Sequence, residues 1–253
     1  MSIKDNSIVH PGKFINYLKE SGRLEHERSP EVIIFIFLPH LVNACLDKYD
    51  LSRVKGFDTG DLFTFNNVAS SLGLFCCSGV GAPVAVINME ELIAFGAKKF
   101  IVVGTVGALQ KALDIADLMV CSEAIIDEGT SKHYVADGIT SFPSTDWHNN
   151  FVSYLTNERV PFSIGKSWST DAPYRETVEK VIELQRQSVL SVEMEISALF
   201  TLAKFYNVEI TTLLTISDSL ANLDWTPGFF SDKVTKSLLL SLEHAIIFSN
   251  LNF

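Results

Sequence analysis

Short runs of apolar residues, rich in β-branched side chains, recur along the chain and are separated by polar stretches. Each run has the length of one strand, and its positions are continuously apolar rather than alternating with polar residues. Such runs are typical of strands that are buried on both faces of a sheet. Six strands are predicted, over Val32–Leu38, Leu72–Cys77, Phe100–Val103, Leu118–Ile126, Phe162–Trp168 and Ile210–Ile216.

Between these runs, apolar residues recur at the three- and four-residue intervals of an amphipathic helix. Helices are predicted over Pro83–Ala97, Met194–Tyr206 and Ser231–Asn250. The alternation of strands and helices predicts the α/β fold class, with a mixed central β-sheet flanked by helices. Ligands of such folds bind beyond the carboxyl ends of the strands, so candidate chemistry is sought there.

Nothing along the sequence divides it into separate folding units. No linker rich in proline, glycine or serine, no internal repeat and no low-complexity segment occurs. A single domain over residues 1–253 is therefore expected. Residues 1–30 precede the first predicted strand and are expected to form an N-terminal extension packed on this domain.

Charge argues against a nucleic-acid partner. Lys and Arg total 20 against 30 Asp and Glu, so the formal net charge is −10. A surface that coats DNA or RNA needs a basic face, which this balance does not favour. A local basic pocket for a small anion is still compatible with it, because net charge does not describe one cleft.

The mean hydropathy of +0.22 raises the question of a membrane. The longest wholly apolar run, Val32–Leu38, is far shorter than the roughly 20 residues of a spanning helix. Residues Met1–Asn16 are polar and contain no signal-peptide core. The four cysteines have no metal-ligand spacing, and Cys76 and Cys77 stand in an apolar run that favours buried thiols. No membrane partner and a cytoplasmic location are expected.

Several common motifs are absent. Gly165–Ser167 reads Gly-Lys-Ser, but Val160 stands where a phosphate-binding P-loop needs a glycine. Ser78–Gly81 lacks the third glycine of a dinucleotide-binding loop. Neither HExxH nor GxSxG occurs, and the six histidines show no metal-ligand spacing. No zinc protease, nucleophile-elbow hydrolase or metal site is indicated.

Four segments carry residues with recognisable chemistry. The first is a glycine-rich turn that ends in proline, and the second is the sequence Gly-Thr-Val-Gly at the end of a predicted strand. The third contains Asp-Ala-Pro-Tyr. The fourth reads Val-Glu-Met-Glu and is followed later by a Ser-Asp pair. They are Ser78–Pro83, Val103–Leu109, Trp168–Glu176, and Ser191–Glu195 with Ser217 and Asp218.

In this order and combination the segments resemble the purine nucleoside phosphorylase and uridine phosphorylase family, from about residue 32 to the C-terminus. The resemblance implies a single α/β domain whose mixed central sheet is partly barrel-like. It implies a pentosyltransferase that cleaves the N-glycosidic bond of a nucleoside with inorganic phosphate, giving a free base and a sugar 1-phosphate without a resident cofactor. It also implies a homo-oligomer, as a dimer or a trimer of dimers, whose neighbouring subunits complete the pockets.

Glu195 is the candidate sugar ligand, because one carboxylate can accept hydrogen bonds from both ribose hydroxyls. A solvated carboxylate at a helix N-terminus is the alternative. The family resemblance places Met194 under the sugar, although core packing would also explain this methionine. The resemblance adds Glu193 and Thr105 to the ribose site.

Asp218 is the candidate catalytic residue. It follows the predicted strand Ile210–Ile216, where a partly desolvated carboxyl group could protonate a leaving base; capping of a following turn is the alternative. In purine-cleaving relatives this aspartate donates a proton toward the base. Pyrimidine-cleaving relatives carry a Gln-x-Arg pair that is absent after Pro173. A purine-type base is therefore favoured.

The resemblance places the base against Gly107, Val106, Pro173, Tyr174 and Ser217. Glycine lets backbone approach a ligand closely. Pro173 stands where relatives have a stacking aromatic side chain, and the neighbouring Tyr174 is the candidate replacement. A core or interface position for this tyrosine is the alternative.

The phosphate site departs most from the family. Relatives bind the anion with arginines, whose fork geometry suits it, but those positions are here Val102, the region of His40, and Ile126. The resemblance leaves as phosphate ligands Gly81, Gly104, Thr105, Lys55 and Arg175. In the family, a residue at the position of Lys55 reaches across from a neighbouring subunit.

Three functions therefore stay open on the sequence. The first is a phosphorylase with a rearranged anion site, and the second is a nucleosidase that uses water. The third is a nucleoside-binding homologue without activity. The second is weakened because water-using relatives carry a glutamate after the first strand, where Pro39 and His40 stand here.

Overall fold

The structure is a computed structural model, and it describes residues 7–68 and 71–251. Within these ranges the strands are β1 (Val32–Ile36), β2 (Leu51–Val54), β3 (Gly60–Phe65), β4 (Leu72–Cys77), β5 (Lys99–Ala108), β6 (Leu118–Asp127), β7 (Thr140–Ser141), β8 (Ser163–Thr170), β9 (Val189–Glu193), β10 (Glu209–Ser219) and β11 (Thr226–Pro227). The helices are α1 (Pro11–Glu20), α2 (Pro39–Lys48), α3 (Ala82–Phe95), α4 (Thr145–Asn157), α5 (Val178–Arg186), α6 (Ile196–Tyr206) and α7 (Asp232–Leu251). Short 3-10 helices cover Ser131–His133 and Pro173–Arg175.

All six predicted strands and all three predicted helices occur, but most of their boundaries differ by one to three residues, and β5 runs to Ala108, five residues beyond its predicted end. β1 ends at Ile36 because Pro39 opens α2 within three residues. α6 begins at Ile196, since Glu195 has non-helical backbone and is its N-cap. β10 continues to Ser219, so Asp218 lies within the strand rather than after it.

The strand β1 shows why continuous apolar runs form the centre of this fold. Its side chains alternate between two cores on opposite faces of the sheet: Ile33 and Phe35 pack with α1, α3 and α6, whereas Ile34 packs with α2, α4 and α7. Both faces of the sheet are therefore covered by helices, and each strand position is buried.

Strand pairing closes part of the sheet on itself. β5 pairs in parallel with both β1 and β10, and β10 returns through β6, β8 and β9 to β5. Parallel pairs such as β5–β10 stand beside antiparallel pairs such as β5–β9. The predicted α/β class with a mixed, partly barrel-like central sheet is confirmed.

The N-terminal segment packs on this core through α1. Ile15 and Leu18 of that helix are buried in the same core as α3. Residues 1–6 of the predicted extension over 1–30 lie outside the described residues. The described part of the chain holds no helix with the length and apolar character needed to cross a bilayer.

The four cysteines are buried thiols. Burial raises the pKa of Cys45 to about 11 and that of Cys76 to about 12. Thiolate forms are therefore scarce at neutral pH, so these side chains act as small apolar groups.

Candidate active site

A cavity of about 650 Å³ opens where the carboxyl ends of β1, β5, β9 and β10 meet the N-terminus of α6. This is the edge at which α/β folds bind ligands. Eleven of the residues predicted for the site line it: Gly104, Thr105, Val106, Gly107, Pro173, Tyr174, Glu193, Met194, Glu195, Ser217 and Asp218. Residues from four separate sequence segments are thus brought to one cavity.

Glu195 is buried at the head of α6, with 9% of its surface exposed, so it is not a solvated carboxylate. Its Oε1 accepts a 2.5 Å hydrogen bond from the backbone N–H of Gly81. Burial, followed by the negative charge of Glu193, raises the pKa of Glu195 to about 7. The side chain is therefore poised between its charged and neutral forms at neutral pH.

Glu193 is held by hydrogen bonds from the protein itself. Its Oε1 accepts from the hydroxyls of Ser167 and Ser169, and its Oε2 accepts from the backbone N–H groups of Glu195 and Ile196, each at 2.6 Å. Burial raises the pKa of Glu193 even with these four donors. The arrangement fixes the turn that presents Met194 and Glu195, so Glu193 is placed as a positioning residue rather than as a free acceptor for ribose.

Met194 and Thr105 are half-buried and line the same cavity. Met194 therefore faces open volume instead of being enclosed in a core. Val102, where relatives have arginine, is buried in the wall of the same cavity.

Asp218 is directed into the cavity by a β-bulge. The parallel register between β5 and β10 shifts between Ile216 and Asp218, which brings Asp218 opposite Gly107. A β-carbon on Gly107 would lie 3.2 Å from Oδ2 of Asp218 and 3.1 Å from Val192, so this position has little room for a side chain.

Two side chains hold the Asp218 carboxyl, and neither is part of a helix cap. The hydroxyl of Ser217 donates to Oδ1 at 2.7 Å, and the indole Nε1 of Trp225 donates to Oδ2 at 2.9 Å. Asp218 itself is only 7% exposed. The predicted alternative, in which Asp218 caps a following turn, is not what these contacts show.

The turn around Pro173 forms the outer wall. Pro173 and Tyr174 line the cavity, and the tyrosine is 99% exposed, so it packs neither in a core nor against the rest of this chain. Glu176 ends this turn and also lines the cavity. Burial, followed by the negative charge of Asp218, raises the pKa of Glu176 to about 7.

Three of the predicted phosphate ligands, Gly81, Lys55 and Arg175, do not line the cavity. Gly81 directs its N–H to Glu195, while Lys55 and Arg175 are exposed and do not line the cavity. His40 is likewise exposed at the start of α2. Within residues 7–68 and 71–251, no lysine, arginine or histidine lines this cavity, whereas four carboxylates do.

Two residues that line the cavity have no role predicted from the sequence. Glu176 ends a recognised segment, and its raised pKa depends on burial that the sequence does not reveal. Trp225 follows Asp218 by seven positions with no recognisable motif between them. Only the folded turn after β10 brings its indole back to the carboxyl group.

Comparisons with known proteins give relatives of this chain in sequence and in fold. The sequence matches the family described as the phosphorylase superfamily over residues 31–246. It is 29% identical to a guanosine phosphorylase of Halorubrum lacusprofundi over 171 residues, which are 68% of this chain and 71% of that protein. It is 31% identical to a DeoD-type purine nucleoside phosphorylase of Bacillus cytotoxicus over 173 residues, covering 63% of this chain and 73% of the relative.

The fold is also similar to a solved structure. The uridine phosphorylase from Vibrio fischeri ES114 superposes with a TM-score of 0.78 over 90% of this chain and 94% of that chain, at 24% sequence identity. At this level of identity the likeness concerns the fold.

Proposed function

The chain belongs to the phosphorylase superfamily, and we propose that it is a pentosyltransferase that cleaves the N-glycosidic bond of a purine-type nucleoside with inorganic phosphate. The products are a free base and a sugar 1-phosphate. Both curated relatives compared above are named as phosphorylases of purine nucleosides, one of them of guanosine.

One observation carries the proposal: two buried carboxyl groups from separate elements line a single cavity. Glu195 at the head of α6 suits the two hydroxyls of a ribose, and Asp218 in the bulge of β10 suits the base. Cleavage leaves positive charge on the sugar and negative charge on the base, so groups on both sides of the bond are required. The backbone of Gly107 and the side chain of Tyr174 lie at the base end.

Phosphate is the co-substrate in this proposal, and no resident cofactor is proposed. Thr105 and the backbone at Gly104 line the cavity and supply neutral contacts. Positive charge has to come from outside this subunit's cavity, and exposed Lys55 is the candidate when it is presented by a neighbouring copy.

We therefore propose a homo-oligomer, at least a dimer. Tyr174 and Trp225 line the cavity although they are 99% and 59% exposed, and large exposed aromatic groups beside a site suit a covering subunit. Light scattering of the active protein at micromolar concentration is expected to give at least twice the 28.0 kDa chain mass. A fully active monomer would overturn this part. A cytoplasmic role in purine salvage is proposed with it.

The function is tested by incubating the protein with a nucleoside panel in phosphate buffer and in phosphate-free buffer. Guanosine, inosine and adenosine are compared with uridine, and both the base and the sugar product are analysed. Sugar 1-phosphate that forms only with phosphate is expected. Absence of base release from every nucleoside would contradict catalysis and favour a binding protein.

A second candidate is a nucleosidase that uses water, and one observation favours it. Four carboxylates and no cationic side chain line the cavity among residues 7–68 and 71–251, which opposes binding of a phosphate dianion in a single subunit. Free ribose released at the same rate in both buffers would select hydrolysis over phosphorolysis.

A further inference from the structure

The two carboxyl groups at the base end of the cavity stand in different surroundings. Both oxygens of Asp218 accept a hydrogen bond, one from Ser217 and one from Trp225. A proton on Oδ2 would be opposed by the indole hydrogen of Trp225, which cannot turn away as a hydroxyl can. Both oxygens of this carboxyl group are therefore already bound by protein donors.

Glu176 has the opposite surroundings. It is half-buried, and no described residue donates a hydrogen bond to its carboxyl group or forms an ion pair with it. Its charged neighbour across the cavity is the carboxylate of Asp218, which repels a second negative charge. These surroundings favour the neutral form, and they raise the pKa of Glu176 to about 7.

Two carboxyl groups in one cavity whose environments differ in this way divide the roles of acid and base. Resting on the proposed function, we infer that Glu176 supplies the proton to the leaving base, and that Asp218, whose two oxygens are held by Ser217 and Trp225, is not the proton source. The family resemblance would put this proton on Asp218, so the inference moves it to a residue that the motifs do not mark.

The step balances with phosphate, the co-substrate of the proposed function. As the bond between the sugar C1′ and the base nitrogen breaks, its electron pair passes to the base, and a phosphate oxygen supplies the pair for the new bond to C1′. The O–H bond of Glu176 breaks, its proton joins a ring nitrogen of the base, and Glu176 becomes a carboxylate. Solvent returns the proton after the base has left, and no group changes its oxidation state.

The other charged and titratable groups around the cavity do not replace this proton source. Glu193 and Glu195 line it from the segment between β9 and α6, at the end assigned to the sugar. Tyr174 and Arg175 belong to the same turn as Glu176 and are exposed. Asp218 is the negative charge in the cavity that acts on Glu176.

The test compares Glu176→Gln with the wild type on two substrates at about pH 6.5. Inosine needs a proton on its base, whereas 7-methylguanosine already carries positive charge on the base and needs none. General-acid catalysis contributes roughly 10²–10⁴-fold, so kcat/KM of the variant on inosine is expected to fall by about that factor. On 7-methylguanosine it is expected to change by less than about threefold.

Glu179→Gln is the matched control, because Glu179 is exposed on α5 three positions further along and does not line the cavity. This variant is expected to behave like the wild type on both substrates. Equal losses of Glu176→Gln on both substrates would indicate a binding or structural role and overturn the inference. So would a selective loss on inosine in Asp218→Asn that Glu176→Gln does not show.

A second test uses the wild type alone, so its result does not depend on whether a variant folds. Its kcat/KM on inosine is expected to fall as pH rises above about 7, where Glu176 loses its proton. A flat profile there would overturn the inference while the proposed function stands. Failure of the wild type to release base from any nucleoside would instead remove the proposed function itself.

Discussion

The backbone N–H of Gly81, the N-cap of α3, donates a 2.5 Å hydrogen bond to Oε1 of Glu195, the N-cap of α6. Two helix N-termini therefore meet at the sugar end of the cavity and stabilise one carboxylate. Gly81 holds a φ of 101°, which favours glycine and turns its N–H toward this partner. Gly81 is a predicted phosphate ligand, but its backbone N–H is already bonded to Glu195.

Replacement of Glu195 by alanine is expected to raise the nucleoside KM and to lower kcat, each by about tenfold or more. The contacts to ribose hydroxyls position the sugar and strengthen as positive charge develops on it. Steady-state kinetics on the best nucleoside measures both constants. Glu158→Ala, at an exposed position after α4, is the control, and unchanged constants in Glu195→Ala would remove the assignment.

Replacement of Trp225 by phenylalanine is expected to lower kcat by about tenfold with little change in KM. The substitution keeps an aromatic wall but removes the 2.9 Å hydrogen bond to Asp218. Asp218→Asn should lower kcat further, by roughly two orders of magnitude or more, because it also removes the negative charge that raises the pKa of the proton donor Glu176. A Trp225→Phe variant with wild-type kcat would show that the indole does not position Asp218.

The pH dependence of kcat/KM is expected to be a narrow bell centred near pH 7. Glu195 must be ionised to accept hydrogen bonds from ribose, and its pKa of about 7 places the loss of activity below that pH. Glu176 must be protonated, and its pKa of about 7 places the loss above it. In Glu195→Gln the acidic limb is expected to disappear. A broad plateau across this range in the wild type would contradict the two assignments.

Replacement of Lys55 by alanine is expected to raise the phosphate KM by about 10- to 100-fold and to leave the nucleoside KM nearly unchanged. One charge-assisted hydrogen bond contributes about 1.5–3 kcal/mol, and each 1.4 kcal/mol is about tenfold in affinity. The wild-type phosphate KM itself is expected to be high, in the millimolar range, because the family's arginine positions are not cationic. Lys111→Ala, at another exposed lysine, should leave both constants unchanged; equal effects of the two variants would contradict a specific role.

Replacement of Glu91 by glutamine is expected to stabilise the fold at about pH 8 and to leave stability unchanged at about pH 4. Burial, followed by the charges of Asp58 and Glu90, raises the pKa of Glu91 from 4.5 to about 7. The folded state therefore binds a proton more tightly than the unfolded state, and stability is lost as pH rises from 4.5 through 7. After allowance for solvent screening the gain is about 1 kcal/mol, or about 2–4 °C in Tm.

Thermal unfolding at the two pH values measures this difference. Glu158→Gln serves as the control, since that glutamate is exposed. A gain in Tm that is equal at both pH values would show that removal of the Glu91 charge is not its cause.

Much of this molecule can be predicted from local sequence, and the reason is burial. Strands such as β4, which is buried on both faces, need continuous apolar residues, so the sequence predicts their positions. The short edge strand β2 has a single buried position, Val54, among four residues, so its sequence carries no apolar run that predicts it. Its pairing with β3 stabilises it more than its own composition does.

The residues of the candidate site also differ in how far the sequence predicts them. Glu195 and Asp218 stand in motifs, since one is the N-cap of α6 and the other occupies the bulge near the end of β10. Glu176 and Trp225 act through proximity in space, which no spacing along the chain encodes. The proposed role of Lys55 requires a second copy of the chain, so neither the sequence nor one subunit determines its contacts.

The pairing of β5 with β10 has a consequence for how the protein is made. Gly107 and Asp218 become neighbours only when β10 joins the sheet, and Trp225 follows later still. Contacts between such distant segments form slowly, because the intervening chain must first be ordered. During synthesis the N-terminal strands are complete well before any nucleoside pocket exists, so a ribosome-bound intermediate has a partly built core and no binding activity. Premature termination within β10 would yield a chain that exposes the apolar edge of β5 and invites aggregation.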